Sequence, residues 1–183
     1  MNRKLLLVDD EPQIIAALQR TLVDEPFEIF TAGNGEEGLA VMEQHRPAVV
    51  ISDERMPGMG GAEFLAEVRQ RYPETVRLML TGHASLEATI NAVNRGEIYR
   101  FFTKPWDSLE LQLALRAAFE KHALEEENRR LLRTVRRQSR ELKLLEEKYP
   151  GITVAERDEA GVFVLPDLSD EELAAAIERC NRS

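Results

Sequence analysis

Short apolar runs alternate with amphipathic stretches from residue 4 to residue 103 of the chain. The runs have the length and composition of buried strands, and they cover residues 4–8, 27–32, 48–52, 76–80 and 99–103. Between them, apolar residues recur at helical spacing. The predicted helices start at Pro12, run through Leu39 and Met42, and cover residues 62–71 and 86–94. This alternation predicts an α/β fold with a doubly wound, five-stranded parallel sheet and helices on both faces.

The pattern changes after Trp106, because neither Gly nor Pro occurs between Asp107 and Pro150. A single helix of up to about 65 Å is therefore predicted, at roughly 1.5 Å per residue. Its residues follow a heptad repeat. The a positions are Lys121, Asn128, Val135, Leu142 and Tyr149, and the d positions are Ala117, Leu124, Leu131, Gln138 and Leu145.

Leucine at d together with one asparagine at a is typical of parallel two-stranded coiled coils, where the buried asparagine sets the register. The repeat therefore predicts a homodimer through residues 117–149. Lys121 and Gln138 weaken this seam, and a helix folded back on the preceding domain is the alternative. The outward positions b, c and f hold seven basic residues: Arg129, Arg130, Arg133, Arg136, Arg137, Arg140 and Lys143. Solvation explains this basic face, and an acidic partner or nucleic acid is the alternative.

Residues 150–183 form an acidic tail with eight acidic and three basic residues. Residues 152–156 and 162–165 are typical of a β-hairpin, and Ser169 with Glu172 predicts the start of a helix. The tail has too few apolar residues for a core of its own. We expect it to pack on the coiled coil, on a dimer mate or on a downstream protein. Its charge argues against direct DNA recognition.

Composition and charge indicate the compartment of the protein and the partners that it is not expected to bind. The net charge of −9 and the pI of about 5.0 argue against a general affinity for nucleic acid or anionic membrane. No apolar stretch approaches the roughly 18 residues that span a bilayer. The single cysteine, Cys180, cannot form an internal disulfide and lies on the apolar stripe of the last predicted helix. These features predict a soluble cytoplasmic protein. The pattern along the chain predicts its domains, at residues 1–122, 123–149 and 150–183.

Polar side chains stand where the predicted strands end. Asp9 and Asp10 end the first strand, Asp53 the third, Thr81 the fourth and Lys104 the fifth. The carboxyl ends of parallel strands meet at one edge of a sheet, which is where such folds bind ligands. Neighbouring carboxylates repel one another unless a cation joins them, and Mg²⁺ prefers oxygen ligands. Together with a lysine and a hydroxyl, the set is suited to accepting a phosphoryl group on Asp53.

The acidic pair, the Asp-x-x-Met-Pro loop that starts at Asp53, Thr81 and Lys104-Pro105 together resemble the receiver domain of a two-component response regulator over residues 3–122. The sequence around these motifs is similar to that of receivers joined to HD-GYP phosphodiesterases or to ATP-dependent transcription activators. The segment after Lys104 carries no Walker loop and no His-Asp metal cluster of such outputs. The resemblance implies a flavodoxin-like sheet of strand order 2-1-3-4-5.

The resemblance also implies a reaction. Asp53 accepts a phosphoryl group from a phosphohistidine of a histidine kinase or a phosphotransfer protein. Asp10 and Asp53 bind Mg²⁺ directly, Asp9 binds it through water, and the backbone carbonyl of Arg55 completes the protein ligands. The signal then passes to an unknown downstream protein by protein–protein contact.

Four further positions take roles from the same resemblance. Thr81 hydrogen-bonds the new phosphoryl oxygen, Lys104 pairs with another, and Phe101 is the aromatic switch position that moves with Thr81. Arg55 and His83 flank the site where receivers tune the lifetime of the aspartyl phosphate. The alternative for these two is an exposed side chain on a loop.

Two other functions remain as hypotheses. A haloacid-dehalogenase-like phosphatase also uses Asp, Mg²⁺ and Lys, but it carries Asp-x-Asp on its first strand, whereas Asp53 ends the third. A dimeric adaptor with a silent receiver is the other. Residues 33–38 match the dinucleotide pattern G-x-G-x-x-G, but Glu36 and Glu37 in the first helical turn would repel phosphate. His45 and His122 lack metal-ligand spacing and are interpreted as surface residues.

Overall fold

Five parallel strands form one sheet in the computed structural model, which describes residues 3–82 and 98–148. The strands are β1 (Lys4–Val8), β2 (Glu28–Ala32), β3 (Val49–Asp53), β4 (Val76–Thr81) and β5 (Arg100–Thr103). Their order is β2-β1-β3-β4-β5, and every neighbouring pair is parallel. The predicted sheet and its strand order are confirmed. Each predicted strand end lies within one residue of the observed one.

The described helices are α1 (Pro12–Thr21), α2 (Gly35–His45), α3 (Gly61–Arg71) and α4 (Ser108–Lys148). The predicted helix over 86–94 and the predicted tail of 150–183 lie outside the described residues. Two compact units divide the chain, Met1–Arg130 and Leu131–Ser183.

Both faces of the sheet are apolar, because successive side chains of a strand point to opposite sides. Leu5 and Leu7 of β1 belong to a core shared with α1 and α4, whereas Leu6 and Val8 belong to a core shared with α2 and α3. All four side chains are buried. This two-sided burial explains why the strands appear in the sequence as continuous apolar runs rather than as alternating ones.

The glycine-rich turn before α2 has a structural role. Asn34 caps the helix by accepting a hydrogen bond from the Glu37 N–H, and the Glu37 carboxylate accepts one from the Gly33 N–H. These reciprocal bonds satisfy backbone donors that a bound phosphate would need. A Cβ at Gly35 would lie 2.7 Å from Met59, and one at Gly38 would lie 2.9 Å from Phe64. The glycines therefore allow α2 to pack closely.

The interpretation of His122 as a surface residue is wrong, whereas His45 keeps part of its surface exposed. His45 is half-buried and stacks on Phe30 with a centroid distance of 4.1 Å. His122 is only 6% exposed, and burial lowers its pKa below the ordinary value. His122 continues the helical spacing of Leu111, Leu115 and Phe119 on the buried side of α4. That spacing is visible in the sequence and outweighs the polarity of the imidazole.

The uninterrupted helix is confirmed, since α4 runs for 41 residues. Its buried residues end at His122. Apolar side chains that follow are exposed: Leu124, Leu131, Leu132, Val135, Leu142, Leu144 and Leu145. Across residues 3–82 and 98–148, no helix combines the length and the apolar character needed to cross a membrane.

Gly61 fixes the path of the chain beyond β3, and its replacement is the first test of this fold. A Cβ at Gly61 would lie 1.8 Å from the Asp53 carbonyl oxygen, a backbone atom that cannot rotate away. We expect Gly61→Ala to lower the free energy of unfolding by about 3 kcal/mol or more, the upper range for overpacking. Urea unfolding measures this change. Gly60→Ala is the matched control, because its Cβ would meet its nearest atom at 3.6 Å. Equal losses in both variants would show that the close approach of Gly61 to Asp53 does not limit the side chain at this position.

Candidate functional site

Three charged side chains meet at the carboxyl edge of the sheet because they share one face. Asp9 stands two residues after Leu7, Asp53 two after Ile51, and Lys104 two after Phe102. These three apolar residues belong to the same core, and side chains two apart on a strand point to the same side. Strand register and alternation thus bring together residues that are 95 positions apart.

Lys104 bridges the two carboxylates. Its Nζ lies 2.5 Å from Asp53 Oδ1 and 2.8 Å from Asp9 Oδ2, with Glu11 Oε1 farther away at 4.0 Å. Asp9 is 2% exposed and Asp53 is 6% exposed. Two buried carboxylates facing one ammonium carry more negative than positive charge. A second cation at this site would balance that charge.

Backbone N–H groups hold the remaining carboxylate oxygens. The Glu11 N–H donates to Asp9 Oδ1 at 2.9 Å, and the Arg55 N–H donates to Asp53 Oδ2 at 2.8 Å. Each carboxylate is therefore held at both oxygens, and its orientation is fixed before any ligand arrives. The Asp53 side chain therefore has a fixed orientation in the structure.

Burial has opposite effects on the pKa values of Asp9 and Lys104. Burial raises the pKa of Asp9 above its ordinary value; the hydrogen bonds from Lys104 and Glu11 oppose that shift without cancelling it. The negative charge of Asp53 contributes least to the shift. Repulsion from Asp53 therefore raises the pKa of Asp9 less than desolvation does. Burial lowers the pKa of Lys104, but its hydrogen bonds with Asp53 and Asp9 outweigh burial, so the pKa is raised.

Thr81 ends β4 on the opposite side of the sheet from this triad, two residues after Met79 of the second core. Its side chain is fully buried, and its hydroxyl donates a hydrogen bond of 2.5 Å to Glu54 Oε2. Phe101 is half-buried, packs against the same core as Met79 and pairs with Met79 across the strands. Sequence reasoning missed Glu54, because its partner lies 27 residues away and the contact depends on a side-chain rotamer.

Asp10 is exposed and lines a groove that also contains Asp9, Thr31 and Glu37. Within the described ranges, no three His, Cys, Asp or Glu side chains already form a group that could hold a metal ion. Lys104 brings the oxygen donors Asp9 and Asp53 together, and Asp10 and the carbonyl of Arg55 are further oxygen donors within two residues of them in the chain. That donor set fits a hard divalent cation such as Mg²⁺. The Arg55 side chain is exposed, and His83 lies outside the described residues.

Comparisons with known proteins agree with this site. The family model of the response regulator receiver domain matches residues 5–116. The hydrogenase transcriptional regulatory protein HoxA of Cupriavidus necator is 40% identical over 127 residues, which cover 69% of this chain and 26% of that protein. The transcriptional regulatory protein GlrR of Escherichia coli is 36% identical over 143 residues, covering 78% and 32%. The chain thus spans about a quarter to a third of the length of these curated relatives.

A solved structure is similar to this chain in both sequence and fold. The signal receiver domain of an HD domain-containing protein from Pseudomonas fluorescens is 39% identical, with a TM-score of 0.65. The match covers 69% of this chain and 94% of that one. These matches confirm the predicted similarity to receivers attached to HD-type and transcription-activator outputs.

The burial of Asp9 predicts a pH dependence of stability. In the folded state its pKa is raised above the ordinary 3.8, so the folded protein loses stability as pH rises from 3.8 through that raised value. Asp9→Asn removes this loss, while Lys104 keeps its ion pair with Asp53. The free energy of unfolding of the variant minus that of the wild type should therefore increase with pH, by about 1.4 kcal/mol for each unit of pKa shift.

Urea unfolding between pH 4 and pH 8 in EDTA measures this difference. Asp24→Asn, at an exposed aspartate, is the control and should give a difference that is independent of pH. A difference for Asp9→Asn that stays constant or falls with pH would show that burial does not dominate at this carboxylate.

Proposed function

The chain belongs to the family of response regulator receiver domains, and from that premise we propose that Asp53 is a phosphoryl acceptor that switches a two-component signalling protein. The observation that carries the proposal is the bridge from Lys104 to Asp53 and Asp9 at 2.5 and 2.8 Å. A lysine held against the acceptor carboxylate meets the negative charge that a phosphoryl group adds there.

The proposed donor is a phosphohistidine of a histidine kinase or a phosphotransfer protein. An oxygen of Asp53 attacks phosphorus, the P–N bond breaks, and the imidazole leaves with the bonding electron pair. Because the Arg55 N–H and Lys104 already orient the carboxylate, the chain contributes positioning and charge compensation rather than a further covalent step.

The proposed Mg²⁺ ligands are Asp10 and Asp53 directly, Asp9 through water, and the backbone carbonyl of Arg55. When bound, the cation would neutralise charge on the phosphoryl oxygens. The raised pKa of buried Asp9 supports this proposal, because a nearby cation restores the stability of its ionised form.

Thr81 and Phe101 form the proposed switch. The Thr81 hydroxyl would hydrogen-bond the phosphoryl group, and Phe101, already packed against the core on the same side as Met79, would move further inward. The exposed Arg55 side chain, next to the loop that follows Asp53, is proposed to tune the lifetime of the phosphate. The same role for His83 stays a prediction.

Labelling with a small phosphodonor tests the acceptor. With phosphoramidate and Mg²⁺, we expect the wild type to gain one acid-stable, base-labile phosphoryl group. Asp53→Asn should abolish it, and Lys104→Met should reduce the labelling rate by on the order of a hundredfold, as for loss of one preorganised charge-stabilising group. Intact-protein mass spectrometry measures both, with Asp24→Asn as a matched control.

The same experiment separates the competing functions. Steady release of phosphate from varied substrates would indicate a phosphatase. A wild type that takes up no label would indicate a dimeric adaptor with a silent receiver. Labelling that persists in Asp53→Asn would move the acceptor to another residue.

The output is proposed to run through protein–protein contact, with α4 forming a parallel homodimer. Exposed Leu124, Leu131, Val135, Leu142 and Leu145 all fall at a or d of one heptad frame. Five large apolar side chains in one frame lose contact with water together when two helices pair. On this proposal residues 1–122 are the receiver, 123–149 the coiled coil and 150–183 a tail that binds a downstream protein. Action in the cytoplasm stays a prediction from composition.

A pair of leucines tests the seam. Leu131 occupies a d position and is 55% exposed, whereas Leu144 occupies an outward c position and is 63% exposed. We expect Leu131→Glu to weaken the dimer by on the order of a hundredfold in Kd, since it places two carboxylates in an apolar seam. Sedimentation equilibrium measures the mass. Leu144→Glu should leave it at the wild-type value, and a monomeric wild type would contradict the dimer.

A further inference from the structure

Glu54 follows the proposed acceptor directly and holds the hydroxyl that the phosphoryl group needs. The Thr81 hydroxyl donates to Glu54 Oε2 at 2.5 Å, a charge-assisted hydrogen bond in a fully buried setting for Thr81. A hydroxyl has one proton to donate. While Glu54 accepts it, that proton is not available to an oxygen on Asp53.

The backbone of Glu54 is fixed on both sides. Its N–H donates to the Leu80 carbonyl at 2.9 Å, and its carbonyl accepts from the Gly61 N–H at 3.0 Å. These bonds tie Glu54 to the end of β4 and to the first residue of α3. Because the main chain is held, the contact with Thr81 changes only by rotation of the Glu54 side chain or of the Thr81 hydroxyl.

From this geometry we infer that Glu54 is a positioning residue that opposes phosphorylation of Asp53 by holding the Thr81 hydroxyl in the unphosphorylated state. The inference rests on the proposed function and adds a residue that regulates the same site. When Asp53 is phosphorylated, the Thr81 hydroxyl turns its O–H from Glu54 to a phosphoryl oxygen, so the hydrogen bond to Glu54 is lost.

Glu54 is distinct from the residues that hold the acceptor. Lys104 contacts Asp53 directly and bridges it to Asp9, whereas Glu54 acts through Thr81. Removal of Glu54 therefore leaves the acceptor and its lysine intact, and its effect depends on the Thr81 hydroxyl.

Rates of labelling by phosphoramidate in Mg²⁺ buffer test the inference. The donor loses ammonia as its P–N bond breaks and a bond from Asp53 to phosphorus forms. We expect Glu54→Ala to label on the order of tenfold faster than the wild type, the effect of releasing one hydrogen bond to a charged group. Glu54→Gln should fall between the two, because an amide oxygen still accepts from Thr81 without carrying charge. It also keeps the side-chain size, which guards against misfolding of the alanine variant.

The control and the double variant decide the mechanism. Glu63→Gln removes an equal charge from an exposed position on α3 and should label at the wild-type rate. In a Thr81→Ala background, Glu54→Ala should change the rate by less than twofold. An equal acceleration with and without the Thr81 hydroxyl would overturn the inference in favour of a general charge effect, and slower labelling of Glu54→Ala would overturn it outright.

Failure of the inference is distinguishable from failure of the proposed function. A labelled wild type with unchanged Glu54 variants overturns only the role of Glu54. A wild type that takes up no label overturns the proposed function, and the role of Glu54 with it.

Discussion

The ion pairs of Lys104 with Asp53 and Asp9 are the interaction on which the site depends. They join the ends of three strands, β1, β3 and β5, which the sheet order places on both sides of its centre. One ammonium facing two buried carboxylates leaves a net negative charge in a place of low dielectric. Such a site is costly for the fold, and it becomes favourable only when further positive charge arrives. The raised pKa of Asp9 reflects this cost, because burial disfavours its ionised form.

The rest of the fold serves to hold this edge in place. Apolar side chains fill both faces of the sheet and pack against helices on each side. Beyond β3 the chain has no freedom either. Gly61 approaches the Asp53 carbonyl so closely that no side chain fits, and the Glu54 backbone is bonded to both β4 and α3. Within the described residues, the side chains next to this backbone include Thr81 and Glu54, which share a hydrogen bond, and half-buried Phe101, which packs against the second core.

The sequence predicts the sheet well because two-sided burial leaves continuous apolar runs, and it predicts the acceptor set because parallel strands collect their carboxyl ends. It predicts less where the outcome depends on rotamers or on burial. The contact of Glu54 with Thr81 leaves no pattern in the chain, and the raised pKa of Asp9 comes chiefly from desolvation rather than from its acidic neighbours. His122 is buried because it continues the helical spacing of Leu111, Leu115 and Phe119, which outweighs the polarity of its imidazole.

The same packing links the acceptor to the long helix. Lys104 stands two residues after Phe102, and Phe102 lies in the core that contains Leu111 and Leu115 of α4. A close-packed core transmits displacement rather than absorbing it. On the proposal that Asp53 is phosphorylated, a phosphoryl group that changes the partners of Lys104 would act at the end of β5. Because they share a core with β5, the first turns of α4 are the part of that helix on which such a change would act.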